Sequence, residues 1–154
     1  MERALAVLGT LFNRDERLEM KLYAARGTTL IFTSDATIAA LGAAWTKALE
    51  LAERLDDTEY QLRSLVGLWF FSRVAGRLAA SLADAQKFCA LAESRSTSND
   101  QLIGERLVGI SQHFLGDQPG ARRHLEDMLA RYSPPAAKPH LMRFRNTQQL
   151  TSGT

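Results

Sequence analysis

A glycine recurs in this chain about every forty residues, each time in a helix-compatible segment that a second amphipathic segment follows. The three are Gly27 in RGTTLIF, Gly67 in LVGLWFF and Gly109 in LVGISQHF, at intervals of 40 and 42 residues. The second segments close on matching tails, Leu51-Ala52-Glu53, Leu91-Ala92-Glu93 and Leu129-Ala130-Arg131, 40 and 38 residues apart. A unit of that length made of two helices cannot bury its apolar face alone and does so by stacking on its neighbours. The expected fold class is all-α: an α-solenoid of about three antiparallel helix hairpins plus an N-terminal helix.

Proline supports this reading by where it is missing. The four prolines stand at 119, 134, 135 and 139, so the first 118 residues hold no obligate helix breaker. Short polar clusters punctuate instead, among them Thr33-Ser34-Asp35, Asp56-Asp57-Thr58, Gly76-Arg77 and Gly116-Asp117-Gln118. Between them the apolar spacing is helical. Segment 16–32 places Leu18, Leu22, Ala25 and Phe32 on one stripe, and 36–55 does so with Ala44, Ala48, Leu51, Ala52 and Leu55. Segment 59–75, with Leu62, Leu65, Val66, Trp69 and Phe70, is the richest and is expected at the centre. Segment 78–94 offers Ala85, Phe88, Cys89 and Ala92; segment 100–115 offers Ile103, Leu107, Ile110 and Phe114. In 119–132 the set is Ala121, Leu125, Met128, Leu129 and Tyr132, with Pro119 suited to a first turn. No stretch alternates with period two for long, although Thr28–Thr33 carries β-branched residues that fit a helix poorly.

These boundaries give a helical repeat domain over 1–133, with hairpins at about 16–55, 58–94 and 99–132 and a leading helix at about 3–12. Residues 134–154 read as a proline-interrupted basic tail, the start of a truncated further repeat. An array cut there exposes apolar surface at its last unit, and exposed ends make a homodimer through them possible.

The chain of 154 residues carries a net charge of only +2, unevenly spread. Residues 1–105 hold 12 basic and 14 acidic side chains, whereas 106–154 hold 7 basic against 3 acidic. The balance of the last third suits a solvated basic surface better than a nucleic-acid footprint, so nucleic acid is not expected to be contacted directly. No apolar run approaches a membrane span, and the acid at Glu2 argues against a signal peptide; the expected location is cytoplasmic. The single cysteine, Cys89, excludes an internal disulfide and reads as a small core hydrophobe.

Catalytic constellations do not emerge. None of the ten glycines precedes a lysine, so no phosphate-binding loop is present. His113, His124 and His140 lack metal-ligand spacing, and no GxSxG elbow occurs. Asp57 and Asp117 have the simpler reading of helix caps. Trp45, Trp69, Phe70 and Phe71 read first as packing between hairpins. The expectation is a non-enzyme without metal or cofactor.

Small residues add a more specific signal. Twelve positions after each marker glycine stand Ala39, Ala79 and Ala121, where two helices of a hairpin would approach closely. In the third unit Gly109, Ala121, Leu125 and Pro134 resemble a tetratricopeptide repeat. Over about 3–150 the chain resembles the tetratricopeptide-like array of bacterial signal-transduction ATPases, regulators that carry a winged-helix or adenylate-cyclase domain. The pieces that carry the likeness are AWTKALELAERLDDTEY, LVGLWFF, LGDQPGARRHLEDMLARYSPP and HLMRFRNTQQL. The resemblance implies a non-catalytic interaction and sensor module of a larger transcription regulator, whose partners are neighbouring domains of a longer chain or a peptide. A free-standing peptide-binding adaptor is the alternative, and a nucleic-acid-binding helical repeat the third reading. Stacked in that way, the first helix of each hairpin lines a concave face. It would present Lys21, Ala24 and Thr28, then Gln61, Ser64, Leu68 and Phe71, then Ile103, Arg106 and His113.

Overall fold

The computed structural model describes residues 15–33, 37–95 and 98–132. The expected helix at about 3–12 and the tail 134–154 lie outside the described residues. Within them the chain is all-helical, with no strand: α1 Glu16–Leu30, α2 Ile38–Arg54, α3 Thr58–Val74, α4 Leu78–Arg95, α5 Ser98–Leu115 and α6 Gln118–Arg131. None is long and apolar enough to cross a membrane.

Caps set the register. Asp15, Thr37, Asp57 and Asp117 stand in front of α1, α2, α3 and α6, each side chain accepting from backbone N–H groups of the first turn. Three of these caps, at 37, 57 and 117, are separated by multiples of twenty residues. The helix ends obey the same count. Asp56, Gly76 and Gly116 adopt φ of 49°, 72° and 89°, the left-handed conformation that stops a helix. Just beyond them Asp57, Arg77 and Asp117 donate their N–H groups back to the carbonyls of Ala52, Ser72 and Gln112 at 2.8–2.9 Å. The polar clusters at 56–58, 76–77 and 116–118 are thus tight corners that both end one helix and begin the next. At Thr28, Thr29 and Thr33 the hydroxyls donate to the carbonyls four residues back, so the β-branched stretch closes α1 without becoming a strand.

Each helix packs on the next in sequence. The named contacts make these pairings antiparallel: Glu16 meets Arg54 while Gly27 meets Trp45, and Gly109 meets Leu125 while Glu105 meets Arg131. First helices run the same way, since Arg17 of α1 reaches Asp57 at the start of α3 and Gly27 and Gly67 both face Trp45. Besides its partner α2, α1 also touches α3; the approach of α3 to α5 is looser.

The largest core cluster joins α3, α4 and α5 through Leu62, Leu65, Trp69, Ala85, Phe88, Ala92, Leu107 and Val108. The richest segment therefore does sit at the centre of the packing. A second cluster gathers Ala24, Leu41, Trp45 and Ala48, with Leu68, Phe70 and Phe71 against it. Burial of such large side chains contributes about 1.5–3 kcal/mol each.

Two details of the sequence reading are corrected. In α1 the buried stripe is Met20, Ala24 and Gly27, while Leu18 is 45% and Phe32 52% exposed. The helix carries two apolar stripes, and the one with the glycine wins because only a residue without a side chain admits the Trp45 indole. Ala39 and Ala79 are exposed, whereas Ala121 is buried. Counting from the caps rather than from the glycines gives the equivalent close positions as Leu41, Ser81 and Ala121, all buried. Leu41 and Ser81 stand 14 residues after Gly27 and Gly67, whereas Ala121 stands 12 after Gly109, so a count of twelve reaches the buried position only in the third unit.

Candidate partner-binding surface

The residues projected onto the first-helix face divide into three sets. Lys21, Arg106 and His113 are exposed. Thr28, Gln61, Leu68, Phe71 and Ile103 are half-buried, while Ala24 and Ser64 are buried. Ser64, fully enclosed, cannot meet a partner at the surface, and its Oγ has no hydrogen-bond partner. Thr28 spends its hydroxyl on the Ala24 carbonyl at 3.0 Å. Gln61 donates from Nε2 to the Ala52 carbonyl at 3.2 Å, bracing the α2–α3 corner. Leu68 and Phe71 pack against the Trp45 cluster, and Phe71 also fills the space above Gly42. His113 shares a hydrogen bond of 2.9 Å with Gln118, whose Nε2 donates to the His113 carbonyl, so it braces the α5–α6 corner.

Around α3 and α5 two arginines lie over aromatic rings, of which Trp69 is buried, Phe70 and Phe71 are half-buried and Phe114 is exposed. Arg73 Cζ lies 4.7 Å from the Trp69 ring, 5.8 Å from Phe70 and 5.4 Å from Phe114. Arg77 Cζ stands 4.4 Å above the Phe71 ring. Burial, and after it the charge of Arg106, hold the Arg73 guanidinium below the usual arginine range. Among the described residues neither Arg73 nor Arg106 joins an ion pair. Phe114, read as part of a core stripe, is instead 52% exposed.

Beneath this surface lies a buried polar chain. Trp69 Nε1 donates to Ser111 Oγ at 2.9 Å, and that hydroxyl donates to the Leu107 carbonyl at 2.9 Å. Ser81 Oγ donates to the Trp69 carbonyl at 3.4 Å. The indole N–H thereby links α3 to α5, and Arg73 lies over a ring anchored by that bond. Nearby, Ser72 donates to Asp84 at 2.9 Å; burial raises the Asp84 carboxyl above its usual range, and the Ser72 bond works against that.

Sequence reasoning found Arg106 and Phe71 but missed Arg73 and Phe114. The signal was present: Trp69 and Arg73 are four residues apart, the spacing that lays one side chain over another on a helix. Cys89 behaves as expected of a core thiol. It packs against the central cluster with Sγ towards Gly104, and burial pushes its pKa up to about 11. Among the described residues no three His, Cys, Asp or Glu side chains gather as a metal site. Comparison of the chain with protein-family models, with characterised proteins and with solved structures gives no match.

Proposed function

We propose that this chain is a tetratricopeptide-like solenoid serving as a non-catalytic interaction and sensor module, in the cytoplasm, of a larger bacterial ATPase-linked transcription regulator. The observation that carries the module reading is the phase of the corners. Helix starts at the caps 37, 57 and 117 and helix ends at 56, 76 and 116 keep a common count of twenty residues, and together with the parallel α1 and α3 they support a face repeated on one side. The aromatic and guanidinium groups of α3 and α5 lie where such a face would receive a partner. Packing of that face against a neighbouring domain, biased by a bound partner, would set an on/off equilibrium with a coupling of about 1–3 kcal/mol.

The tie to an ATPase rests on the sequence resemblance and is tested at the source DNA. A phosphate-binding loop in the same reading frame upstream is the expected result. A frame holding this array alone would overturn the regulator and favour the free-standing adaptor.

A further inference from the structure

We propose that residues 138–150 of this chain dock as a further helix on the open side of α6, against Leu129 and Tyr132. The inference goes beyond the module reading and rests on the spacing of the helices, not on a tie to an ATPase.

Five helices begin on a strict count: α2 to α6 start at residues 38, 58, 78, 98 and 118. Each helix packs on the next, so positions forty residues apart in α2, α4 and α6 hold the same place in successive hairpins. Trp45, Ala48, Leu49 and Ala52 correspond in this way to Ala85, Phe88, Cys89 and Ala92. These in turn correspond to Leu125, Met128, Leu129 and Tyr132. In α2 and α4 every one of these side chains is buried or half-buried. The cover comes from the first helix of the following hairpin. Trp45 lies against Gly67 of α3, Leu49 packs on the cluster that holds Leu62 and Leu65, and Phe88 and Cys89 fill the space at Gly104 of α5. At the end of α6 the same places are again apolar, yet Leu129 is 64% and Tyr132 55% exposed. Leu125 lies against Gly109 of α5, on the side already covered. Apolar places that are covered twice before, and open here among the described residues, mark a seat for a helix.

The count names the occupant. The next start falls at residue 138, where Lys138-Pro139 repeats Gln118-Pro119 of α6 twenty residues on. Pro119 stands in the first turn of α6, where a helix accepts proline. Counted from the new start, Met142 takes the place of Leu62, and Leu150 that of Phe70 and Ile110. Leu62 is buried in the central cluster, and Phe70 and Ile110 pack against it. Pro134 and Pro135 stand between Tyr132 and that start, so the link cannot simply continue α6. A segment tethered this closely reaches the seat at an effective concentration in the millimolar range, which a second copy at micromolar concentration does not match.

The test is hydrogen–deuterium exchange with mass spectrometry on the full chain at two protein concentrations, beside Leu129→Lys and Leu129→Met. A lysine suits the last turn of a helix, and the exposure of Leu129 means that the described packing does not need its side chain. Amides of 140–150 are expected to exchange at least about tenfold more slowly than those of an unstructured peptide, equally at both concentrations. Leu129→Lys should lose that protection and lower the melting temperature while the amides of α3 and α4 keep theirs, and Leu129→Met should retain it. Exchange of 140–150 at unstructured rates, or protection that survives Leu129→Lys, overturns the proposal. So does protection that grows with concentration alongside a dimer mass in sedimentation, which gives the seat to a second copy. The result is independent of the reading-frame test: an upstream ATPase can be present or absent with this seat filled or empty.

Discussion

The two tryptophans occupy comparable places at successive hairpin junctions and are held by opposite means. Trp45 of α2 is a plug. A Cβ on Gly27 would lie 2.5 Å from its ring, one on Gly67 would overlap it, and its Nε1 is buried without a partner. Trp69 of α3 is a strut, hydrogen-bonded to Ser111 across the gap to α5 and stacked under Arg73. Where glycines bring helices together, shape alone specifies the ring and its polar edge goes unused. Where α3 and α5 stand further apart, the indole bridges by its N–H and leaves a face for a cation. The tight junction is thus built for stability, and the wide one can hold a site.

Mutations can break that contrast. Trp45→Ala, emptying the space between two glycines, should lower the unfolding free energy most, by about 3–5 kcal/mol in urea denaturation followed by circular dichroism. Gly67→Ala should cost about 1–3 kcal/mol by overpacking, and less when Trp45→Leu is already present. Additive effects would mean that the glycine and the ring are not coupled. Ser111→Ala strands the Trp69 N–H and should cost about 1–2 kcal/mol. Ser64→Ala removes a hydroxyl that has no partner, so its unfolding midpoint should stay level or rise. Equal losses at the two serines would mean that the Trp69–Ser111 bond adds nothing beyond an unpaired hydroxyl.

The smallest effect is one of pH. The folded-state pKa of Asp84 is raised, chiefly by burial, so the folded chain holds this proton more tightly than the unfolded one. Its contribution is greatest below the unfolded carboxylate pKa, and stability falls as pH rises from there through the raised value. Comparison of Asp84→Asn with the parent in chemical denaturation across that acidic window should show a flatter profile for the variant.

Much of the fold was legible because a chain of helices that each pack on the next writes its pattern locally. The caps Asp57 and Asp117 could be named from their place before an apolar run, and Ala44, Ala48, Leu51 and Ala52 from their spacing. The face of α1 could not, since two stripes fit the helix equally well and the choice was made by a ring on another helix. Ser64 shows the same limit: a serine projected onto the concave face is enclosed by neighbours that periodicity does not encode. Arg73 was overlooked because it looks like an ordinary solvated residue near a helix end; only the ring of Phe114, forty-one positions later, reveals that it is held.

The corners at 55–57, 75–77 and 116–117 have a further consequence for how such a chain can change length. Each is as short as its backbone hydrogen bonds allow, and each fixes the angular phase of all that follows. One residue inserted within a helix turns the downstream face by about 100°. It would carry Trp69 or Ser111 out of register with the other. The connection between Leu30 and Ile38 is longer and lies ahead of every later corner in the chain. Insertions and deletions should therefore be absorbed there and rejected at the corners, so that the chain varies in length at its first link and keeps its spacing afterwards.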